Sequence, residues 1–323
     1  MAKYLVIGGN GIIGHFVTRR LVAQGHRPVV MSRAADPALI RDIQDRCDLV
    51  AGDVTDPAMA DHIVRTHGIT HIAHLGAILP SAAEEDPALG IRINVEGVAN
   101  ILSAAVKNKA TRVILASSKG AYGRPPGRHA GPEYLPLPED IRPYPFTVYG
   151  IAKVAAEQLG TWYMRKHGIE VASLRFATTV GPGKISRHGG HFSRSSLIVE
   201  SAMAGKPLTV NEGGDSRSDT IYNDDAARGI VAALQAKSLK YDLYNIGTGS
   251  GITLKEYAAA AMRAFPGSKI VIGDGEDRSG AQNFIMDVSR AKEDLGFTAD
   301  PSPDHIVRSY VATMKLLGLT PEV

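Results

Sequence analysis

The chain carries a single cysteine, Cys47, so no disulfide can form within it, and a reducing compartment such as the cytoplasm is expected. The formal charge is only +3 over 323 residues, without a lysine or arginine run, which argues against a nucleic-acid surface. No unbroken apolar stretch approaches the roughly 20 residues of a membrane span, and no basic-then-apolar segment opens the chain. No membrane partner is therefore expected. Internal repeats and low-complexity tracts are also missing. His188 and His191 flank two glycines but have no third ligand nearby in sequence, so no metal site is expected. What remains is a globular composition, 44% hydrophobic and 21% charged, in a chain long enough for two lobes.

The apolar residues are organised. Continuous runs at 4–7, 28–31, 48–50, 71–74, 112–116 and 171–176 alternate with amphipathic stretches at 11–24, 56–67, 94–108 and 149–167. Strands without polar alternation are buried on both faces, which predicts a parallel sheet covered by helices. After Phe176 the rhythm changes. Residues 184–196 are rich in Ser, Arg, His and Gly and read as a loop; helix, strand and turn signals then follow in mixed order. The expected fold class is α/β: a doubly wound parallel sheet followed by a smaller C-terminal α+β lobe.

Two motifs carry chemistry. Gly8-Gly9-Asn10-Gly11-Ile12-Ile13-Gly14 follows the first apolar run directly. A glycine-rich turn between strand and helix aims backbone N–H groups and a helix N-terminus at a pyrophosphate. Gly8 suits the tight turn, Gly11 the close approach of the phosphates, and Gly14 the packing of helix on strand. Further on, Tyr149 and Lys153 stand four residues apart and share one helix face. A free phenol has a pKa near 10, so it serves as a base near neutrality only when its anion is stabilised, and Lys153 supplies a cation for that.

These motifs, in this order and at this separation, resemble the extended branch of the short-chain dehydrogenase/reductase superfamily, over essentially the whole chain. That branch holds nucleotide-sugar epimerases and dehydratases and various dehydrogenases. The resemblance implies that a Rossmann dinucleotide domain of residues 1–176, rejoined by 220–247, is interleaved with a C-terminal α+β substrate lobe made mainly of 177–219 and 248–323. Ser117-Ser118-Lys119-Gly120-Ala121-Tyr122-Gly123 is similar to its Ser-Ser-x-x-Val-Tyr-Gly segment. The resemblance implies a catalytic group of Ser118, Tyr149 and Lys153, with Lys153 also reaching the nicotinamide ribose. It implies a cofactor site built from Gly8, Gly11, Ile12, Ile13 and Gly14, from Asp53 and Val54 near the adenine, and from Leu75, Gly76 and Ala77 beside the ribose. Asn94 matches a helix asparagine that steadies the site. Alignment on Gly25-His26 puts Ser32 where NAD enzymes carry an acidic residue, followed by Arg33; a hydroxyl and a guanidinium suit a 2′-phosphate, so NADP is preferred with NAD as the alternative.

The departures from the family narrow the chemistry. Sugar-nucleotide dehydratases carry Asp-Glu where this chain has Lys119-Gly120, so that elimination lacks its acid and base. Thr178 replaces an asparagine that helps hold a substrate diphosphate. Substrate contacts are expected from Leu79 and Ser81 in the 76–87 loop, from Ser118, Lys119 and Thr178, from Arg187 and His191 in the 184–196 loop, and from Arg217. The leading expectation is an oxidoreductase passing a hydride between nicotinamide and a secondary alcohol or ketone of a small hydroxylated or sugar-like compound. The alternatives are a nucleotide-sugar epimerase using transient hydride transfer and a non-catalytic NADP-sensing protein. A homodimer through residues 94–108 and 149–167 is expected.

Overall fold

In the computed structural model, residues 2–34, 37–183, 193–277 and 282–323 are described. Strands β1 (Tyr4–Ile7), β2 (Val29–Ser32), β3 (Asp48–Ala51), β4 (His71–His74), β5 (Arg112–Ser118) and β6 (Glu170–Phe176) appear where the apolar runs predict them. The later strands are β7 (Thr178–Val180), β8 (Leu208–Val210), β9 (Ser218–Tyr222), β10 (Leu243–Ile246), β11 (Gly251–Ile252) and β12 (Ile270–Ile272). The main sheet is parallel, in the order β10-β6-β5-β4-β1-β2-β3. All four residues of β1 are buried, as a strand covered on both faces requires. The connections run outward in opposite directions from β1 and β4, so the carboxyl ends of these neighbours open a crevice between them.

Helices α1 (Gly14–Ala23), α2 (Pro57–Thr66), α3 (Pro80–Glu85), α4 (Pro87–Ile91), α5 (Gly97–Lys107) and α6 (Val148–His167) flank this sheet. Local chemistry sets their ends. The Asp56 carboxylate accepts from the backbone N–H groups of Ala58 and Met59 at 2.9 and 3.1 Å, with Pro57 supplying the first helical φ of α2. Thr147 Oγ1 accepts from Gly150 N at 3.0 Å and starts α6, which stops at Gly168 in a left-handed conformation. The 76–87 stretch, expected as a loop, contains α3, because Pro80 occupies the first helical turn, where its missing N–H costs nothing.

The stretch Pro87–Lys107 is helical throughout, with a wide turn at Arg92–Glu96. By length and composition it is apolar enough to cross a membrane, which counting unbroken apolar residues does not reveal. Half of it is buried, and it packs against α2 and α6 as a core helix of the sheet's cover. Outside the main sheet, β7, β9 and β11 form a three-stranded sheet and β8 pairs with β12. The helix Asn223–Gln235 lies against α1 and joins the two regions: Arg20 pairs with Asp224 at 2.7 Å, and Asn223 Nδ2 donates to Ile12 O at 3.1 Å.

Candidate active site

A cavity of about 950 Å³ runs along the carboxyl ends of β1, β2, β4 and β5. Its first wall is the glycine turn. Gly8 has φ 75°, and its N–H donates to Met31 O at 2.7 Å, which ties the turn to β2. A Cβ on Gly14 would lie 2.0 Å from Gly8 O, so only glycine lets α1 begin this close to β1. Gly11, Ile12 and Ile13 complete this wall, and Asn223, 211 positions along the chain, donates to the Ile12 carbonyl. A backbone cradle without side chains, leading into a helix N-terminus, fits a dinucleotide pyrophosphate.

The remaining cofactor candidates divide. Ser32, Arg33, Asp53, Val54, Leu75, Gly76 and Ala77 all line the cavity. Ser32 Oγ is buried without a partner among the described residues, so a polar ligand can take its hydrogen bond. Asp53 Oδ1 accepts from Thr55 N and Thr55 Oγ1 at 2.9 and 2.8 Å, and these bonds hold its carboxyl below the usual range. Asn94, expected at the cofactor, does not reach the cavity. It is buried, and its side-chain amide bonds both Ile78 N and Ile78 O at 3.0 and 3.1 Å, so it steadies the Leu75–Ile78 turn.

Ser118, Tyr149 and Lys153 converge on the same cavity. Ser118 ends β5, its Oγ accepts from Gly120 N at 3.0 Å, and Tyr149 presents its phenol to the same cavity. Burial pushes that phenol up to about 12, and the Ser118 hydroxyl opposes the shift. Lys153 lies one turn along α6; its Nζ donates to Ala116 O at 2.7 Å and stands 5.3 Å from the Tyr149 ring centroid. Burial lowers its ammonium to about 8, with Glu157 opposing.

Glu157, a further turn along α6, anchors this face in a way the sequence motifs do not reveal. It accepts from Arg175 Nε and Nη2 at 2.9 and 2.7 Å and from Ser117 Oγ, and both charged groups are buried. Arg175 in turn lies over the Tyr122 ring, 4.3 Å from its centroid. His74 packs behind Lys153, held neutral by burial and by the Lys153 cation, which lower its pKa to about 3.

The substrate candidates fall in three groups. Leu79, Lys119 and Thr178 line the cavity with Ser118, and Ser218 and Gln282 arrive there from distant segments. Ser81 lies exposed on α3, off the cavity wall. Arg217, expected at the substrate, points elsewhere: it donates to Gly251 O at 2.9 Å and pairs with Glu256 at 3.4 Å. Arg187 and His191 lie outside the described residues.

Residues 4–247 match the NAD dependent epimerase/dehydratase family. The chain belongs to this family. It is an NAD(P)-dependent enzyme of the extended short-chain dehydrogenase/reductase superfamily, and hydride transfer on hydroxylated or sugar-like substrates is its chemistry. Family relatives span two activities. The chain is 26% identical over 323 residues to a UDP-glucose 4-epimerase of Rhizobium leguminosarum bv. trifolii, covering 94% of this chain and 95% of that one. It is 27% identical over 311 residues to the mitochondrial L-threonine 3-dehydrogenase of Bos taurus, covering 92% of this chain and 79% of that one. Among solved structures, an L-threonine dehydrogenase from Cupriavidus necator superposes with a TM-score of 0.82 at 27% identity, covering 96% of this chain and 99% of that one. A Thermotoga maritima UDP-glucose 4-epimerase with UDP-glucose shares the fold, with a TM-score of 0.85 at 23% identity over 97% of this chain and 99% of that one.

Proposed function

We propose that this family member is a dehydrogenase/reductase acting on a small hydroxylated compound, with Ser118, Tyr149 and Lys153 as its catalytic group. The observation that carries this reading is the meeting of these three side chains on one cavity wall with the glycine cradle. When bound, the nicotinamide supplies a hydride acceptor or donor. Tyr149 Oη takes the hydroxyl proton as a carbinol becomes a carbonyl, or returns it in reduction. Ser118 Oγ shares the reacting oxygen with Tyr149, and Lys153 stabilises the phenolate that forms. The glycine turn holds the pyrophosphate, and Asp53 and the 75–77 turn border the nucleoside.

Three finer points belong to the same proposal. NADP is the preferred cofactor, with Ser32 and Arg33 facing the 2′-phosphate; the support is a hydroxyl and a guanidinium where an NAD enzyme carries a carboxylate. The substrate is smaller than a nucleotide sugar, supported by Thr178 at the position of the family's diphosphate-binding asparagine, and Lys119-Gly120 in place of the Asp-Glu pair argues against dehydration. The protein works as a cytoplasmic homodimer; its single thiol, Cys47, is buried and free.

The epimerase reading stays second, favoured by relatives such as the Rhizobium enzyme. The two separate on net redox change: a dehydrogenase converts free cofactor in proportion to substrate, whereas an epimerase returns the hydride. Absorbance of the reduced nicotinamide across a panel of small alcohols and ketones tests this. Calorimetry of the cofactor-loaded protein with UDP, GDP and dTDP supplies the second arm, and micromolar binding of any of them puts the epimerase first.

A further inference from the structure

Among the described residues, Lys119 is a buried cation without a direct counter-charge. Strand β5 ends at Ser118 and a single tight turn covers Lys119–Tyr122, so Ser118 and Lys119 both line the cavity instead of facing opposite sides of the sheet. Only 6% of Lys119 is exposed. Its ammonium donates to Ser218 Oγ at 3.0 Å and more weakly to Thr178 Oγ1 at 3.4 Å, and it stands 4.5 Å from the Phe284 ring centroid. None of these partners is charged, and among the described residues Lys119 makes no ion pair.

The nearby carboxylate is committed elsewhere. Asp219 acts on Lys119 only through its field, because its two oxygens accept from Thr248 N, Thr248 Oγ1, Gly249 N and Met286 N at 2.9, 2.8, 3.0 and 3.3 Å. Burial lowers the Lys119 ammonium to about 8, the expected response of a cation held by neutral groups. An anion entering the cavity would meet this ammonium with two hydroxyls beside it.

We infer that Lys119, with Thr178 and Ser218, binds a carboxylate of the substrate, so that the small hydroxylated compound is a hydroxy acid and its oxidised partner a keto acid. The inference rests on the dehydrogenase reading for its choice of reacting centre, since Lys119 directly follows Ser118. A singly charged carboxylate matches the charge available. Arg194, the neighbouring cation on the wall, is paired with Asp277 at 3.0 Å, and Lys153 is turned onto Ala116 O. A phosphate dianion would leave charge uncompensated there.

The test compares matched pairs on the NADP-loaded protein: lactate, 3-hydroxybutyrate and gluconate against their methyl esters, by calorimetry and by turnover. At least one acid should bind about tenfold to hundredfold tighter than its ester, the span of a charge-assisted hydrogen bond. Lys119→Met should bring the acid-to-ester affinity ratio close to one, a change in ratio that loss of a purely structural contact does not produce. Equal binding of acid and ester to the wild-type protein, or no binding of either, overturns the inference, and that comparison stands even if Lys119→Met fails to fold. An acid preference that survives in a folded Lys119→Met protein overturns it as well. The dehydrogenase reading fails separately: acids that bind through Lys119 but never change nicotinamide absorbance sink that reading alone, and turnover restricted to neutral alcohols sinks only the carboxylate.

Discussion

The Lys153 ammonium stands 5.3 Å from the centre of the Tyr149 ring and is fixed there by a 2.7 Å bond to the Ala116 carbonyl at the end of β5. That bond makes the α6 lysine part of the sheet's carboxyl edge, so strand and helix cannot shift relative to one another without moving the charge away from the phenol. Tyr149→Phe keeps the ring and removes the proton carrier. Turnover should fall about 10²–10⁴-fold while dinucleotide affinity, read by fluorescence titration, stays near wild type. A variant with near-normal turnover would remove Tyr149 from the chemistry. Lys153→Ala should lose both rate and cofactor affinity.

The pH profile follows from the same phenol. Burial holds Tyr149 up to about 12, against the Ser118 hydroxyl, so it is neutral below that value in the free protein. Oxidation needs the deprotonated form, whose fraction grows with pH, whereas reduction uses the phenol as it stands. Initial rates of alcohol oxidation should therefore climb from about pH 6 toward the alkaline side, and carbonyl reduction should not. Oxidation rates that decline with rising pH would contradict this assignment.

Arg33 offers a test of cofactor choice. Replacing it with aspartate puts a carboxylate near the proposed 2′ position, where it repels a phosphate and accepts from a ribose hydroxyl. The preference for NADP over NAD, measured as the ratio of kcat/KM values, should drop about tenfold to hundredfold. Equal wild-type use of the two dinucleotides would refute the proposed preference.

The sheet and its site were legible in the sequence to different depths. Strands buried on both faces leave unbroken apolar runs, and β1, β4 and β5 start where those runs start. The glycine spacing and the Tyr149–Lys153 pair are local patterns, so they can be read without knowing the fold. Long-range partners cannot. Glu256 removes Arg217 from the cavity across 39 positions, and Glu157 meets Arg175 from a different element. Asn94 was legible as a residue that steadies the site, but its partner, the Ile78 backbone, depends on how the turn after β4 folds back. Lys119 reaches the cavity only because the strand ends one residue earlier.

The buried Glu157–Arg175 pair should behave asymmetrically on mutation. Arg175→Leu leaves the Glu157 carboxylate buried with Ser117 as its remaining partner, and such one-sided losses cost about 3–5 kcal/mol. Replacing both with Leu and Gln removes the stranded charge, so the double variant should be more stable than Arg175→Leu alone. Urea unfolding with an unchanged m-value measures the difference. A double variant less stable than the single one would mean that the pair contributes more than its desolvation costs.

The proposed homodimer can be tested at Trp162. Ile151 and Trp162 are 49% and 52% exposed on α6, and their eleven-residue separation is close to three helical turns, so they lie on one face. Ile91, 42% exposed, belongs to α4, which packs beside α6 and extends the apolar surface. A second copy meeting this face would cover all three side chains, and a charge at its centre would then be trapped without a partner. Trp162→Glu should shift the protein from dimer to monomer in light scattering at micromolar concentration, with its thermal midpoint becoming independent of protein concentration. The wild-type midpoint should rise with concentration. A wild-type protein that scatters as a monomer, or a Trp162→Glu variant that remains a dimer, would exclude this face as the interface.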